Sequence, residues 1–155
     1  MFTAFGWVKI QTSIADYQAA SLEEVDALVD RFDLENKILY QELNDWLNLN
    51  ETPWIKWQFT EHLNNVSGIL QFHATRNHRT SVVWRLMKFI TKQSLGSYGA
   101  IYIQDDEDID RVQSHDFSLS FRVWRILNGE MTEHDDMLFS PFSSPHAFDI
   151  LSDQK

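Results

Sequence analysis

The sequence predicts one α+β domain, a mostly antiparallel sheet with two main helices packed on one face. Three observations predict it. Two stretches carry apolar residues at helical spacing, several shorter ones alternate with period two, and a strong hairpin turn joins the last pair of strands. At 155 residues the chain suits one domain, and a domain of this size buries about 68–70% of its unfolded surface without any staple. Gly and Pro number only 5 and 3, so no hinge divides the chain. The domain is expected over residues 1–155, with an irregular tail from about residue 138, where Pro141 and Pro145 fall.

The first strand is read at Phe5–Thr12, with Gly6, Val8 and Ile10 on one face and Phe5, Trp7 and Lys9 on the other. Ser21-Leu-Glu-Glu24 is a capping box, in which the Ser hydroxyl accepts from an early helix N–H and Glu24 reaches back. Leu22, Val25, Val29, Phe32, Leu39, Leu43 and Trp46 follow at helical spacing, with a break expected near Asp33; Glu23, Asp26, Asp30 and Glu42 line the polar side. Pro53 ends that pattern. Trp54–Leu63 and Val66–Thr75 read as two strands around Asn64-Asn65, residues that tolerate positive φ. Trp54 and Trp57 have opposite parity, so one of them should point outward.

A second helix is expected from Thr80 or Ser81, with Val82, Val83, Leu86, Phe89 and Ile90 as its stripe, Lys88 and Lys92 near its negative end, and Gly96 as its stop. Gly99–Gln104 is a strand that runs into Asp105-Asp-Glu-Asp-Ile-Asp110. Phe117–Leu127 alternates, which predicts Phe117, Leu119, Phe121, Val123 and Leu127 inward and Ser118, Ser120 and Arg122 outward. Asn128-Gly129 then predicts a type I′ turn into Glu130–His134.

Composition excludes several functions. The chain has no Cys, hence no disulfide, thiolate metal site or cysteine nucleophile. The longest uncharged stretch, His62–Thr75, contains Asn64, Asn65, Ser67 and Gln71, whereas a spanning helix needs about 20 mainly apolar residues. No basic region opens the chain as a secretory signal would. The reading is a cytoplasmic protein with no membrane partner. The net charge is −10 and is uneven: residues 1–50 hold 3 basic and 9 acidic side chains, residues 51–100 hold 6 and 2, and residues 101–155 hold 4 and 12. An acidic surface repels nucleic acid and attracts basic partners.

No catalytic constellation stands out. A calcium loop starting at Asp106 would use Asp108 and Asp110, but Arg111 stands where Gly is needed and Phe117 where Glu is needed. The six His, at 62, 73, 78, 115, 134 and 146, form no HExxH spacing. There is no nucleophile elbow, P-loop or dinucleotide fingerprint, and Gly96-Ser-Tyr-Gly99 precedes a strand where a phosphate cradle would open a helix. The expectation is no enzyme, no metal and no cofactor. The crowded carboxylates at 105–110 repel one another, and a partner's Lys or Arg would relieve them. The six Trp, at 7, 46, 54, 57, 84 and 124, should mostly fill the core.

Several segments together resemble the immunity protein 7 family of bacterial polymorphic-toxin systems. They are Phe5-Gly-Trp-Val-Lys-Ile10, Asn77-His-Arg79, Gly96-Ser-Tyr-Gly99 leading into Ile101-Tyr-Ile-Gln-Asp-Asp-Glu-Asp108, Phe121-Arg-Val-Trp124, Asn128-Gly-Glu130 and Phe139-Ser-Pro141. The resemblance implies a non-catalytic protein that binds a cognate toxin, in its C-terminal toxin domain, and neutralises it during bacterial competition. The acid excess suits a nuclease target, whose active site must hold phosphates. Other readings are a generic acidic interaction or adaptor domain and, further off, a metal-dependent hydrolase. The expected toxin-binding residues are Asp105, Asp106, Glu107, Asp108 and Asp110, extended by Asp135 and Asp136. Gly6, Trp7, Asn77, His78, Arg79, Gly96, Tyr98, Gly99 and Trp124 are expected to serve the fold, as turn glycines and core aromatics among them.

Overall fold

The computed structural model describes residues 1–12, 21–61, 68–107 and 120–135. Strand β1 (Phe2–Ile10) is followed by helix α1 (Leu22–Leu49), the pair β2 (Ile55–Thr60) and β3 (Gly68–Arg76), helix α2 (Val82–Gln93), strand β4 (Tyr98–Asp105), and the pair β5 (Arg122–Leu127) and β6 (Glu130–Asp135). The six strands form one antiparallel sheet in the order β2-β3-β1-β4-β5-β6. The α+β expectation and the element order hold.

Local chemistry explains most boundaries. Ser21 caps α1 as expected: its Oγ accepts from the Glu24 N–H, and the Ser21 N–H donates to the Glu24 carboxylate. The hydrogen bond this carboxylate accepts from the Ser21 N–H, with a further one from the Ser21 side chain, holds its pKa below the ordinary value. The break expected near Asp33 is absent, and α1 runs unbroken through 28 residues. Asn36 supplies a reason. It is buried within the helix and its Oδ1 accepts from the Thr12 N–H at 3.0 Å, so a polar position there ties the helix to the end of β1. At the far end of α2, Ser94 is the cap: its N–H and hydroxyl both donate to the Ile90 carbonyl. Gly96 is therefore not the helix stop, and it has no positive φ. The β5–β6 turn is as expected, with Asn128 at φ 51° and Gly129 at φ 78°.

Alternate residues of the strands face the helices. Phe2, Ala4, Val8, Ile10, Leu70, Phe72, Ala74, Ile101 and Ile103 are buried there with Leu39, Leu43 and Leu47 of α1 and Val83, Leu86, Met87 and Ile90 of α2. Tyr40 of α1 is buried in this core, its hydroxyl donating to the Ile10 carbonyl and accepting from the Gly68 N–H at 2.6 Å. Burial pushes its phenol pKa up.

β5 has the opposite parity from the one expected. Arg122 and Ile126 are buried and Leu127 is exposed. Ser120 is buried too, so the expectation of Phe121, Val123 and Leu127 inward is corrected. Hydroxyl and guanidinium groups can occupy the inner side because Arg122 Nε lies 2.5 Å from the Glu133 carboxylate on β6. That ion pair is diagonal across the β5–β6 register, in which Trp124 opposes Glu133. The expected Asn64-Asn65 turn and the tail from 138 lie outside the described residues.

Candidate functional site

β4 delivers the acidic run to one corner of the sheet, where β1 begins and β3 bends toward α2. Asp105 ends β4 on the helix side and is only 6% exposed. Arg79 Nε donates to its Oδ2 at 2.5 Å, and the Glu107 N–H donates to its Oδ1 at 3.1 Å. Asp106 pairs with the Met1 ammonium, and its N–H donates to the Met1 carbonyl. Glu107 Oε1 lies 3.1 Å from His78 Nδ1. That hydrogen bond holds the Glu107 carboxyl below its ordinary value, with Arg79 adding a smaller effect.

Each described acid of the run thus has a basic partner in its own chain. The crowding that seemed to call for a partner's Lys or Arg is relieved by Arg79, Met1 and His78. Asp105 is buried, with its oxygens taken up by Arg79 and the Glu107 N–H. Asp106 and Glu107 keep about half of their side-chain surface exposed. Asp108, Asp110 and Asp136 lie outside the described residues. Asp135 closes β6 opposite Arg122 in the register, with β5 between it and β4. The structure therefore brings Asp105 onto Arg79 and Glu107 onto His78, residues expected to serve binding and fold separately. Asn77 and His78 are exposed in the bend after β3.

The glycines act by close approach. A Cβ at Gly99 would strike the Trp7 carbonyl and the Val8 Cα, and one at Gly6 would lie 2.7 Å from the Ala100 carbonyl, so both let β1 and β4 pack tightly. Gly96 is buried, and its N–H donates to the Thr12 carbonyl at 3.1 Å. Sequence reasoning missed Ser97 between them. Its buried hydroxyl accepts from the Gln11 N–H at 3.0 Å, and its carbonyl accepts from the Asn128 N–H at 3.2 Å. It joins the end of β1, the start of β4 and the β5–β6 turn. A small hydroxyl residue between two glycines was the available signal.

The tryptophans divide. Trp46, Trp54, Trp57, Trp84 and Trp124 pack against the core, so neither Trp54 nor Trp57 is the outward one. Trp124 meets Trp84 edge-on at 4.9 Å. Trp7 is the exception. It is 45% exposed on the opposite side of the sheet, which corrects the expectation that it fills the core. Beside it stands Tyr98, 6.2 Å away and edge-on, with Lys9 Nζ 5.4 Å from the Tyr98 ring. Phe5 stacks on Tyr102 at 5.0 Å and meets Phe121 edge-on at 5.4 Å. The sequence carried a signal for this face in Phe5, Trp7 and Lys9 sharing one parity.

Among the described residues, no three His, Asp or Glu side chains gather as a metal site, and no helix is long and apolar enough to cross a membrane. The family model described as Immunity protein 7 matches residues 1–147. No curated protein and no solved structure matches the chain with significance. The match spans nearly the whole chain, including both strands that carry the paired acidic corner and the exposed aromatics, and the chain belongs to the immunity protein 7 family.

Proposed function

We propose that this chain neutralises a cognate polymorphic toxin by binding it stoichiometrically in the bacterial cytoplasm and covering its active site or substrate surface. Family membership over residues 1–147 is the observation that carries the reading. The net charge of −10 supports a basic target, and a nuclease is the class of toxin that must be basic to hold phosphates. Charge of this sign steers association, which reaches about 10⁸ M⁻¹s⁻¹ or more at low salt in steered pairs. Occlusion requires desolvated anchors and complementary charge; it requires no nucleophile, general base, metal or cofactor. The described carboxylates of the acidic run, Asp105, Asp106 and Glu107, are matched within the chain by Arg79, Met1 and His78.

The test is titration of the purified chain against the purified toxin domain encoded by the adjacent gene, following degradation of a nucleic acid substrate. Inhibition should saturate near one equivalent. Full protection at a small fraction of an equivalent would overturn the reading in favour of an enzyme, and a toxin with no nuclease activity would overturn the nuclease assignment alone.

A further inference from the structure

We propose that the sheet face opposite α1 and α2, centred on Trp7, Tyr98 and Arg125, grips a patch of the toxin that is apolar in the middle and carboxylate-bearing at its edge. The proposal rests on the reading above that the partner is a cognate toxin, and it adds which surface binds and what that surface recognises.

Register places the face. Residues directly opposite in an antiparallel pair share a side. Tyr98 opposes Lys9 on one flank and Leu127 on the other, while Ala100, the near neighbour of Trp7, opposes Arg125. Trp7, Tyr98 and Leu127 are 45%, 40% and 39% exposed. They come from three adjacent strands, β1, β4 and β5, and so form one patch. The other five tryptophans pack against the core. Leaving an indole, a phenol and a leucine together in water is unfavourable, and Trp, Tyr and Arg are the residues that most often dominate binding energy.

The charge of this face has the opposite sign to that of the chain. At the described outward positions stand Lys9, Lys56 and Arg125 with His73 and His134, against one carboxylate, Glu130. The whole chain is −10. The complementary surface is acidic around an apolar anchor. A cationic face is a poor mimic of phosphate, so this grip lies beside a phosphate-holding cleft, and acidic parts of the chain are left to face the cleft itself.

The dimensions fit. Six strands at about 4.8 Å spacing span roughly 24 Å, and the outward residues run about 20 Å along each strand. The resulting area of about 500 Å² is enough for the centre of an interface that buries about 800 Å² per partner. Single-stranded nucleic acid is the less favoured occupant. Phe5 and Tyr102 are stacked on each other with planes 7° apart, so these rings are not open for a base to enter between them, and the total charge repels a polyanion.

The test uses the full chain and the purified toxin domain from the adjacent gene, with binding measured by calorimetry. Trp7→Ser should weaken binding by about 30-fold or more, as a central anchor does. Arg125→Glu, at an exposed position one strand further across from that anchor, should weaken it about tenfold, and both variants should melt near the wild-type temperature. If the wild-type chain does not bind the toxin, the proposed function fails. If wild type binds and both variants bind within threefold of it, this inference alone fails. Three further results would overturn it. One is a core-sized loss of melting temperature in Trp7→Ser with Arg125→Glu binding normally. The second is a wild-type dimer that Trp7→Ser dissociates while toxin binding persists. The third is Trp7-dependent binding of a 12-mer oligouridylate with toxin binding unchanged.

Discussion

The two faces of this sheet are made by the same strands and differ by one residue of parity. On the helix side Phe2, Ala4, Val8, Leu70 and Ile101 are fully buried, and the buried charged groups there, Arg122 and Asp105, each come with an ionic partner. On the open side, aromatic rings pair with one another, and Trp7 and Tyr98 stay wet. The comparison teaches that aromatic content alone says nothing about role. Five tryptophans contribute to packing and the sixth, in the middle of β1, stays exposed.

The largest expected break in that comparison is on the covered side. Leu43→Ala opens a cavity under a fully buried side chain and should cost about 3–4 kcal/mol, whereas Trp7→Ala, the larger truncation, should cost under about 1 kcal/mol. Urea denaturation of the two variants checks this, and equal costs would erase the distinction between the faces.

Arg79→Met comes next. It keeps the aliphatic stem and removes the charge that pairs with the buried Asp105 carboxylate. The loss should be about 2 kcal/mol, below the 3–5 kcal/mol for breaking a fully buried pair, because Arg79 is itself 44% exposed. The double variant Arg79→Met with Asp105→Asn should recover part of the loss in a denaturation cycle. Full additivity would mean that the corner is not a coupled lock.

Tyr40→Phe should cost about 1–2 kcal/mol, since it strands the Gly68 N–H and the Ile10 carbonyl. It should also change the alkaline limb. The folded pKa of Tyr40 is raised above its ordinary 10.0, so the native state holds the proton longer than the unfolded chain. Its contribution is complete below that value and is lost as pH rises through the folded pKa. A melting profile from pH 8 to 11 should therefore slope less in the variant.

The smallest effects are at an indole and an exposed carboxylate. Trp124 Nε1 is buried without a hydrogen-bond partner, so Trp124→Phe removes an unmet donor along with apolar contact and should shift stability by less than about 1 kcal/mol. Glu107→Gln should leave the melting temperature at pH 7 nearly unchanged. Glu107 has a lowered pKa, so its contribution is present above its unfolded pKa and fades as pH falls through the folded one. The variant should accordingly lose slightly less stability than wild type between pH 5 and 3, as read by calorimetry.

Much of the molecule was legible because the determining chemistry is local. The Ser21–Glu24 capping box lies within one helical turn, and the Asn128-Gly129 turn needs positive φ at two adjacent residues, which both adopt. Period-two and helical spacing located six strands and two helices in the correct order. The family resemblance also rests on local strings, and it holds.

What could not be read involves partners distant in sequence. Arg79 and Asp105 are 26 residues apart, and His78 and Glu107 are 29 apart, so the acidic run looked like an unrelieved surface until folding brought the bases to it. The parity of β5 turned on Arg122 finding Glu133 on the next strand. Alternation identifies two faces but not which one a helix will cover, and a shift of one residue exchanges them. The role of Ser97 is not local, because its partners, Gln11 and Asn128, lie on opposite sides of it in the chain. The sequence by itself determined the elements, their order and the family, since those follow from contacts within a few residues. Only the tertiary structure decided which carboxylates are already matched and which aromatics are left uncovered, because exposure and ion pairing depend on what long-range packing sets beside each side chain.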